Sequence, residues 1–423
     1  MTADEREDVE SFRQRARSWI RANLRPLEPG ENIEPSLKPT NLTQEEELAV
    51  VTHERQLQRK LFDAGLAGLC FPRAYGGQGL TPDYQRAFNA EIGGYEYPAR
   101  IQAPTFSPCA SVLLEFGTEA QKLRHIPAIL KGEEIWMQLL SEPSSGSDVA
   151  AALTSAVREG DEWVLNGSKI WTTGAWWSDW GICLARTNWD VPKHRGLSVF
   201  ILPIYQPGVA VHRIEMLNGL KEFCQEFLTD VRVPDSDRIG EVDGGWTVGT
   251  RWMFHERMLY NSPFVTVSPR KSQGGVGASM VDIAREAGRL DDSYTRDLVG
   301  EARMLDLVSK ALQQRVGQGV ATGRMVDQAA ALGRLFAGTA STRSATIAFE
   351  ISGATGAAWT GDEGTPADCG TNFLMRQAGC IGGGTTEMAR NVISERVLGM
   401  PRERTLDRDR AFRDVPRAGS TRS

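Results

Sequence analysis

The chain has 423 residues, is 41% hydrophobic and 24% charged, and carries a net charge of −6. That length suits about two to three domains, and the acidic balance without a basic block argues against nucleic acid as a partner. No apolar run approaches the roughly 18 residues of a membrane span, and the acidic start lacks a secretory h-region, so a cytoplasmic protein is expected. The six cysteines are scattered and none of the five histidines clusters with them, so reduced thiols and no metal are expected.

The first third reads as helices. Val9, Phe12, Ala16, Trp19 and Ile20 recur at near-helical spacing over 8–23. A second amphipathic stretch covers 45–64 and stops at Gly65. After a glycine-rich turn at 72–79, further helices are predicted over 83–92 and 119–130. Near Ile135 the texture changes. Short apolar runs at 163–165, 180–185, 197–202, 209–214 and 226–233, separated by Gly, Asn, Asp or Pro, predict a β domain. Helical patterns return at 246–259, 297–322, 328–352 and 386–398, with a Ser/Pro/Gly-rich flexible stretch at 261–279. The predicted domains are helical 1–134, β 135–244 and helical 245–404, an α+β multidomain chain. Residues 405–423 have many charges and almost no apolar periodicity, which predicts a disordered tail or an arm on a neighbour.

Two segments point to a ligand. The first, Ser141-Glu142-Pro143-Ser144-Ser145-Gly146-Ser147-Asp148, is a turn-rich loop of small residues. The second, Asn166-Gly167-Ser168-Lys169-Ile170-Trp171-Thr172-Thr173, puts an aromatic ring beside hydroxyls at the end of a hairpin. Small residues admit close backbone approach to a flat ligand, and amides and hydroxyls meet its polar edge. In order, and inside a β domain, the pair resembles the flavin-contact segments of the acyl-CoA dehydrogenase family. The resemblance spans about residues 8–404 and implies a β domain between two helical domains, with FAD as cofactor.

By residue match, the resemblance places Gln138, Leu140, Ser141 and Ser147 at the flavin ring, Trp171 beside it and Thr173 near its N5. It assigns Glu350, Gly353 and Ala354 to the FAD pyrophosphate of a neighbouring subunit, with Glu350, where relatives often carry Gln, expected to turn away. The segment 381–391 resembles the C-terminal family signature, which brings Thr385 and Glu387 to the adenosine side and the Glu387 N–H to the thioester oxygen. Many members hold their catalytic Glu where this chain has Gly383. A minority supply it from a Glu-Arg pair on an earlier helix, which matches Glu256-Arg257. Glu256 is therefore the expected base, and substrate contact is expected at Ser147, Arg257 and Gly383. His255 is a rival base, but adjacent helical residues diverge by about 100°. The family's FAD-binding arginine is not evident; Arg285 and Arg289 are the nearest candidates. Gly274-Gly275-Val276-Gly277 follows no strand and reads as a plain loop.

The resemblance implies dehydrogenation of an acyl-CoA, with electrons passing to an electron-transfer flavoprotein, in a homodimer or homotetramer. Two alternatives stand beside it: a flavin monooxygenase or oxidase on the same fold, and a structural subunit of a hetero-oligomer. Fatty, branched, aromatic and steroid acyl groups all remain open.

Overall fold

A computed structural model describes residues 7–28, 31, 33, 42–268, 279–358, 364–405 and 407–416. Local signals start the first helices. Asp8 caps α1 (Val9–Asn23) by accepting the N–H groups of Glu10 and Ser11. A Thr43–Glu46 capping box opens α2 (Gln44–Asp63), and Pro82 starts α3 (Pro82–Ile92). Their apolar stripes meet in one core containing Phe12, Leu57, Leu61 and Phe88. Next come α4 (Ala99–Pro104), a π-helical turn (Thr105–Ala110) and α5 (Ser111–Phe116), which run on as one rod, and then α6 (Glu119–Leu130). The rod is not evident in the sequence, because Pro104 and Pro108 read as helix breakers. The wider π turn accommodates their missing N–H groups.

The β domain contains β1 (Trp136–Leu139), β2 (Ser155–Glu159), β3 (Glu162–Thr173), β4 (Trp180–Arg186), β5 (Leu197–Pro203), β6 (Val209–Arg213), β7 (Phe223–Pro234) and β8 (Arg238–Ile239). Their order is β6-β7-β3-β2-β4-β5-β8, with β1 parallel to β4. Apart from Arg186 and Ser198, β4 and β5 are apolar because they are covered on both faces. Leu184, Val199 and Ile201 meet the helices, and Cys183, Phe200 and Leu202 meet Leu165 and Val231 within the sheet. β3 runs eight residues beyond the predicted 163–165. Its polar continuation hides it, since Lys169 and Thr172 are buried with partners instead of facing water.

After the sheet follow α7 (Gly245–Arg257), α8 (Met280–Glu286), α9 (Ser293–Ala321), α10 (Ala330–Ser352), α11 (Ala354–Ala357), α12 (Thr365–Met375), α13 (Ala378–Ile381) and α14 (Thr386–Val392). Ile283, Leu298, Ile347, Ile351 and Cys369 form the core of this last domain. No helix among the described residues is long and apolar enough to cross a membrane.

Two expectations change. Part of the 261–279 stretch is packed: Val265 is buried, and the Thr266 N–H donates to Gln102 Oε1 at 3.0 Å. The rest, with Gly274–Gly277, lies outside the described residues. The tail also differs from a disordered segment over 407–416. The Phe412 N–H donates to the Val191 carbonyl at 2.9 Å. The Phe412 ring stacks on Trp189 and lies 3.7 Å from the Arg186 guanidinium. One aromatic anchor holds a stretch whose average composition is that of a solvated tail.

Candidate active site

The two small-residue segments meet across β1 and β3. The Ile170 N–H donates to the Ser141 carbonyl at 2.9 Å. Lys169 Nζ donates to the Leu140 carbonyl at 3.2 Å and to Glu142 Oε1 at 2.8 Å. The Thr172 hydroxyl lies 3.3 Å from the Gln138 carbonyl. Glu142 also accepts the Leu153 and Thr154 N–H groups at 2.6 and 3.0 Å. Burial pushes the Glu142 carboxyl up, but Lys169 and these donors outweigh it and hold it below the usual value.

β3 then breaks register between Ile170 and Thr172. Trp171 takes φ 67° in this bulge, a conformation unfavourable for a bulky residue. The bulge aims the indole outward, where it is 51% exposed and touches only the edge of Phe223 among the rings. The Ser141 and Thr173 hydroxyls beside it have no hydrogen-bond partner among the described residues. Leu140 is half-buried and Ser147 exposed, and a Cβ on Gly146 would meet nothing within 4 Å. An aromatic wall, free hydroxyls and open space form a ledge that fits a flat heteroaromatic ring with a polar edge, as FAD requires.

Helix α7 carries Glu256, the expected base, and packs against the end of β1. Its inner face carries Val248 and Trp252, both buried, and Glu256 follows one turn later on the same face. The Trp252 indole N–H donates to Gln138 Oε1, which ties α7 to the end of β1. Burial raises the Glu256 pKa, and Arg257 opposes the rise only in part. Cys109, brought near by the π turn, is buried, and its thiol is pushed up by that burial and by the Glu256 charge. His255 faces elsewhere: its Nε2 lies 2.8 Å from Glu115 Oε1, a carboxylate that also accepts Arg251 Nε at 2.8 Å. Arg257 is exposed.

The remaining expected residues lie in the last domain. Glu350 accepts from Arg343 at 3.2 Å and from the Tyr294 hydroxyl at 3.1 Å, so its carboxylate is engaged away from half-buried Gly353 and exposed Ala354. Gly353 has φ 60°, and a Cβ there would lie 3.1 Å from Arg289 Nη2. Arg289 donates to the Glu350 and Ile351 carbonyls at 3.1 and 3.4 Å, whereas Arg285 pairs with Asp282. Of the two arginines, Arg289 is the one at the glycine cluster. Thr385 caps α14 through the Met388 N–H at 3.0 Å. Gly383 and Gly384 have φ 69° and 95° and open space around them. The Glu387 carboxylate is exposed and pairs with Arg390 at 3.1 Å. No hydrogen bond or ion pair joins it to Glu256 among the described residues.

Sequence reasoning missed the groups beneath the ledge. Lys169 and Glu142 form an ion pair with side chains 0% and 3% exposed. Glu226 on β7 is fully buried. A lysine and a glutamate at inward positions of neighbouring strands were the available signal.

Comparison with known proteins agrees with the order of helical, β and helical domains. Residues 6–133 match the acyl-CoA dehydrogenase N-terminal domain model, and residues 138–231 match the middle domain model. Acyl-CoA dehydrogenase IpdE1 of Mycobacterium tuberculosis is 31% identical over 94% of this chain and 99% of that protein. Among solved structures, the Tcur3481-Tcur3483 steroid ACAD superposes with a TM-score of 0.70 at 25% identity, covering 94% of this chain and 99% of that one. The ChsE4-ChsE5 complex from Mycobacterium tuberculosis gives 0.66 at 25% identity, covering 95% and 100%. Matched nearly end to end by such proteins, the chain is an acyl-CoA dehydrogenase and belongs to that FAD-dependent family.

Proposed function

We propose that Glu256 abstracts the α-proton of an acyl-CoA thioester while the β-hydrogen leaves for the cofactor. The observation that carries this reading is the placement of Glu256 on the buried Trp252 face of α7, which Gln138 ties to the ledge. FAD, when bound, supplies the acceptor for the β-hydrogen and its electron pair. Glutamate is a weak base in water, and the burial that raises the Glu256 pKa brings its basicity nearer to what α-proton removal needs. Trp171 supplies the wall, Ser141 and Thr173 the free hydroxyls that orient the ring, and Gln138 and Leu140 the end of β1 beneath it. Ser147 and Arg257, both exposed, meet the substrate at the mouth. The Glu387 N–H serves the thioester oxygen, because its carboxylate is engaged at the surface. Gly353 and Ala354 leave room for the pyrophosphate, with Arg289 as the nearby cation.

The open space at Gly383 favours a bulky acyl group. A relative described as a steroid enzyme points the same way, so a steroid-type acyl-CoA is the substrate class we favour. Electron-transfer flavoprotein is the proposed acceptor. A second reading draws on two structural relatives whose names pair two chains, Tcur3481-Tcur3483 and ChsE4-ChsE5: this chain works as one half of a hetero-oligomer. The test is anaerobic mixing of wild type and Glu256→Gln with a panel of acyl-CoA thioesters, followed by flavin absorbance. Bleaching by wild type, slowed by about 10²–10⁴-fold in the variant, is expected. Equal bleaching in both removes Glu256 from its role. Flavin retained only after a second chain is added selects the hetero-oligomer, and oxygen consumption during turnover revives the oxidase reading.

A further inference from the structure

Beneath the ledge, two contacts of Thr172 need more protons than its hydroxyl carries. Glu226 stands directly opposite Lys169 across the β3–β7 ladder, yet Lys169 Nζ is taken by Glu142 and the Leu140 carbonyl. Glu226 Oε2 instead lies 2.8 Å from the Thr172 hydroxyl, and its Oε1 has no partner among the described residues although the residue is 0% exposed. Thr172 also sits 3.3 Å from the Gln138 carbonyl. A hydroxyl has one proton and a backbone carbonyl has none. Both Thr172 contacts are hydrogen bonds only if Glu226 donates its carboxyl O–H to Thr172, which then donates to Gln138. An ionised Glu226 would draw the Thr172 proton to itself and leave the Gln138 carbonyl without that donor.

We propose that Glu226, as a carboxylic acid, is a positioning residue that acts through Thr172 to lock the β3 bulge against β1 and so hold Trp171 and Thr173 in place on the flavin ledge. The lock lies at the right point: Thr172 is the residue after Trp171, and Gln138 is the residue held by Trp252 one turn before Glu256. Burial is the main reason Glu226 keeps its proton, pushing it up to about 8. The groups facing it are consistent with a neutral acid. Lys169, already paired with Glu142, opposes the rise only in part. Cys183 on β4 and Cys224 on β7 are each pushed by burial to about 12 and stay thiols. Val211, its partner on β6, is apolar, and Arg213 on that strand is bound to Glu47.

The inference rests on the reading that Trp171 and Thr173 face FAD, and its test separates the two. In the full-length protein, amide exchange of the 168–174 segment is measured at pH about 7 and about 9 and corrected for intrinsic rates. After correction, wild type should exchange on the order of tenfold faster at the higher pH, as Glu226 ionises. Glu226→Gln, whose amide donates as the acid does, should be flat, and Thr172→Val should be fast at both values. FAD retention, read by visible absorbance without substrate, should follow the same pattern. Equal pH profiles for wild type and Glu226→Gln overturn the proposal, as does a slow Thr172→Val segment. If exchange follows the pattern while FAD retention does not, the lock stands and the flavin reading of the ledge falls.

Discussion

A carboxyl that keeps its proton near neutrality makes stability depend on pH with a definite sign. Burial pushes Glu226 to about 8 and Glu54 to about 7, whereas an unfolded glutamate titrates near 4.3. Between those values the folded chain holds protons that the unfolded chain has released. Their contribution is complete below the unfolded pKa and lost as pH climbs through the folded values. Urea midpoints should therefore fall between pH about 5 and about 8, and Glu226→Gln should flatten that slope and add up to about 3 kcal/mol near pH 7. Trp171 makes the opposite trade, since its φ of 67° is strained and its ring half exposed. Trp171→Gly relieves strain but adds backbone entropy to the unfolded chain, so the flavin-free protein should change by less than about 1 kcal/mol. FAD binding should weaken by at least roughly tenfold, because the aromatic wall is gone. Thermal melts and a FAD titration of the same preparation check both halves.

At the scale of elements, the junction of β1 and β3 depends on one buried ion pair. Lys169→Met leaves Glu142 without its counter-charge and should cost about 3–5 kcal/mol. Replacing both partners in Lys169→Met/Glu142→Gln should cost clearly less than the sum, and a double-mutant cycle by chemical denaturation measures the difference. The same strands show what a sequence does and does not disclose. α1, α2 and α6 are legible because caps and periodicity are local: Asp8, Thr43 and Thr118 each accept a first-turn N–H. β4 and β5 are legible as apolar runs. The far half of β3 is not, because Lys169 and Thr172 read as surface residues until β7 and the 140–142 loop supply their partners. The rod across Pro104 and Pro108 is hidden for a related reason, since prolines forecast a break that the π turn absorbs. The residues of the ledge could be named by motif, and Glu256 by resemblance. Glu226 could not, because its significance comes from the strand opposite and from a lysine that bonds elsewhere.

Over the whole molecule, the helical, β, helical order places the ledge between α7 and the sheet, and the last described segment returns to that sheet. Phe412 is 2% exposed and closes over Arg186, whose Nη2 and Nε donate to the Ala150 and Ala152 carbonyls at 2.6 and 3.0 Å. Phe412→Ala should release the 407–416 strap while leaving most of the core melt unchanged. Trypsin should then cut among Arg402, Arg408 and Arg410 at least about tenfold faster than in wild type, a difference visible by mass spectrometry of timed digests. The strap also has a meaning in time. During synthesis the β domain leaves the ribosome long before Phe412, which covers Arg186, exists, so its outer surface waits for the whole helical domain from α7 to α14. Contacts of such long sequence separation form late, after the local helices and the hairpins. A polypeptide interrupted anywhere before Phe412 would carry a sheet whose buried arginine still lacks its lid. Until Phe412 arrives, the Arg186 face of the sheet stays open to water.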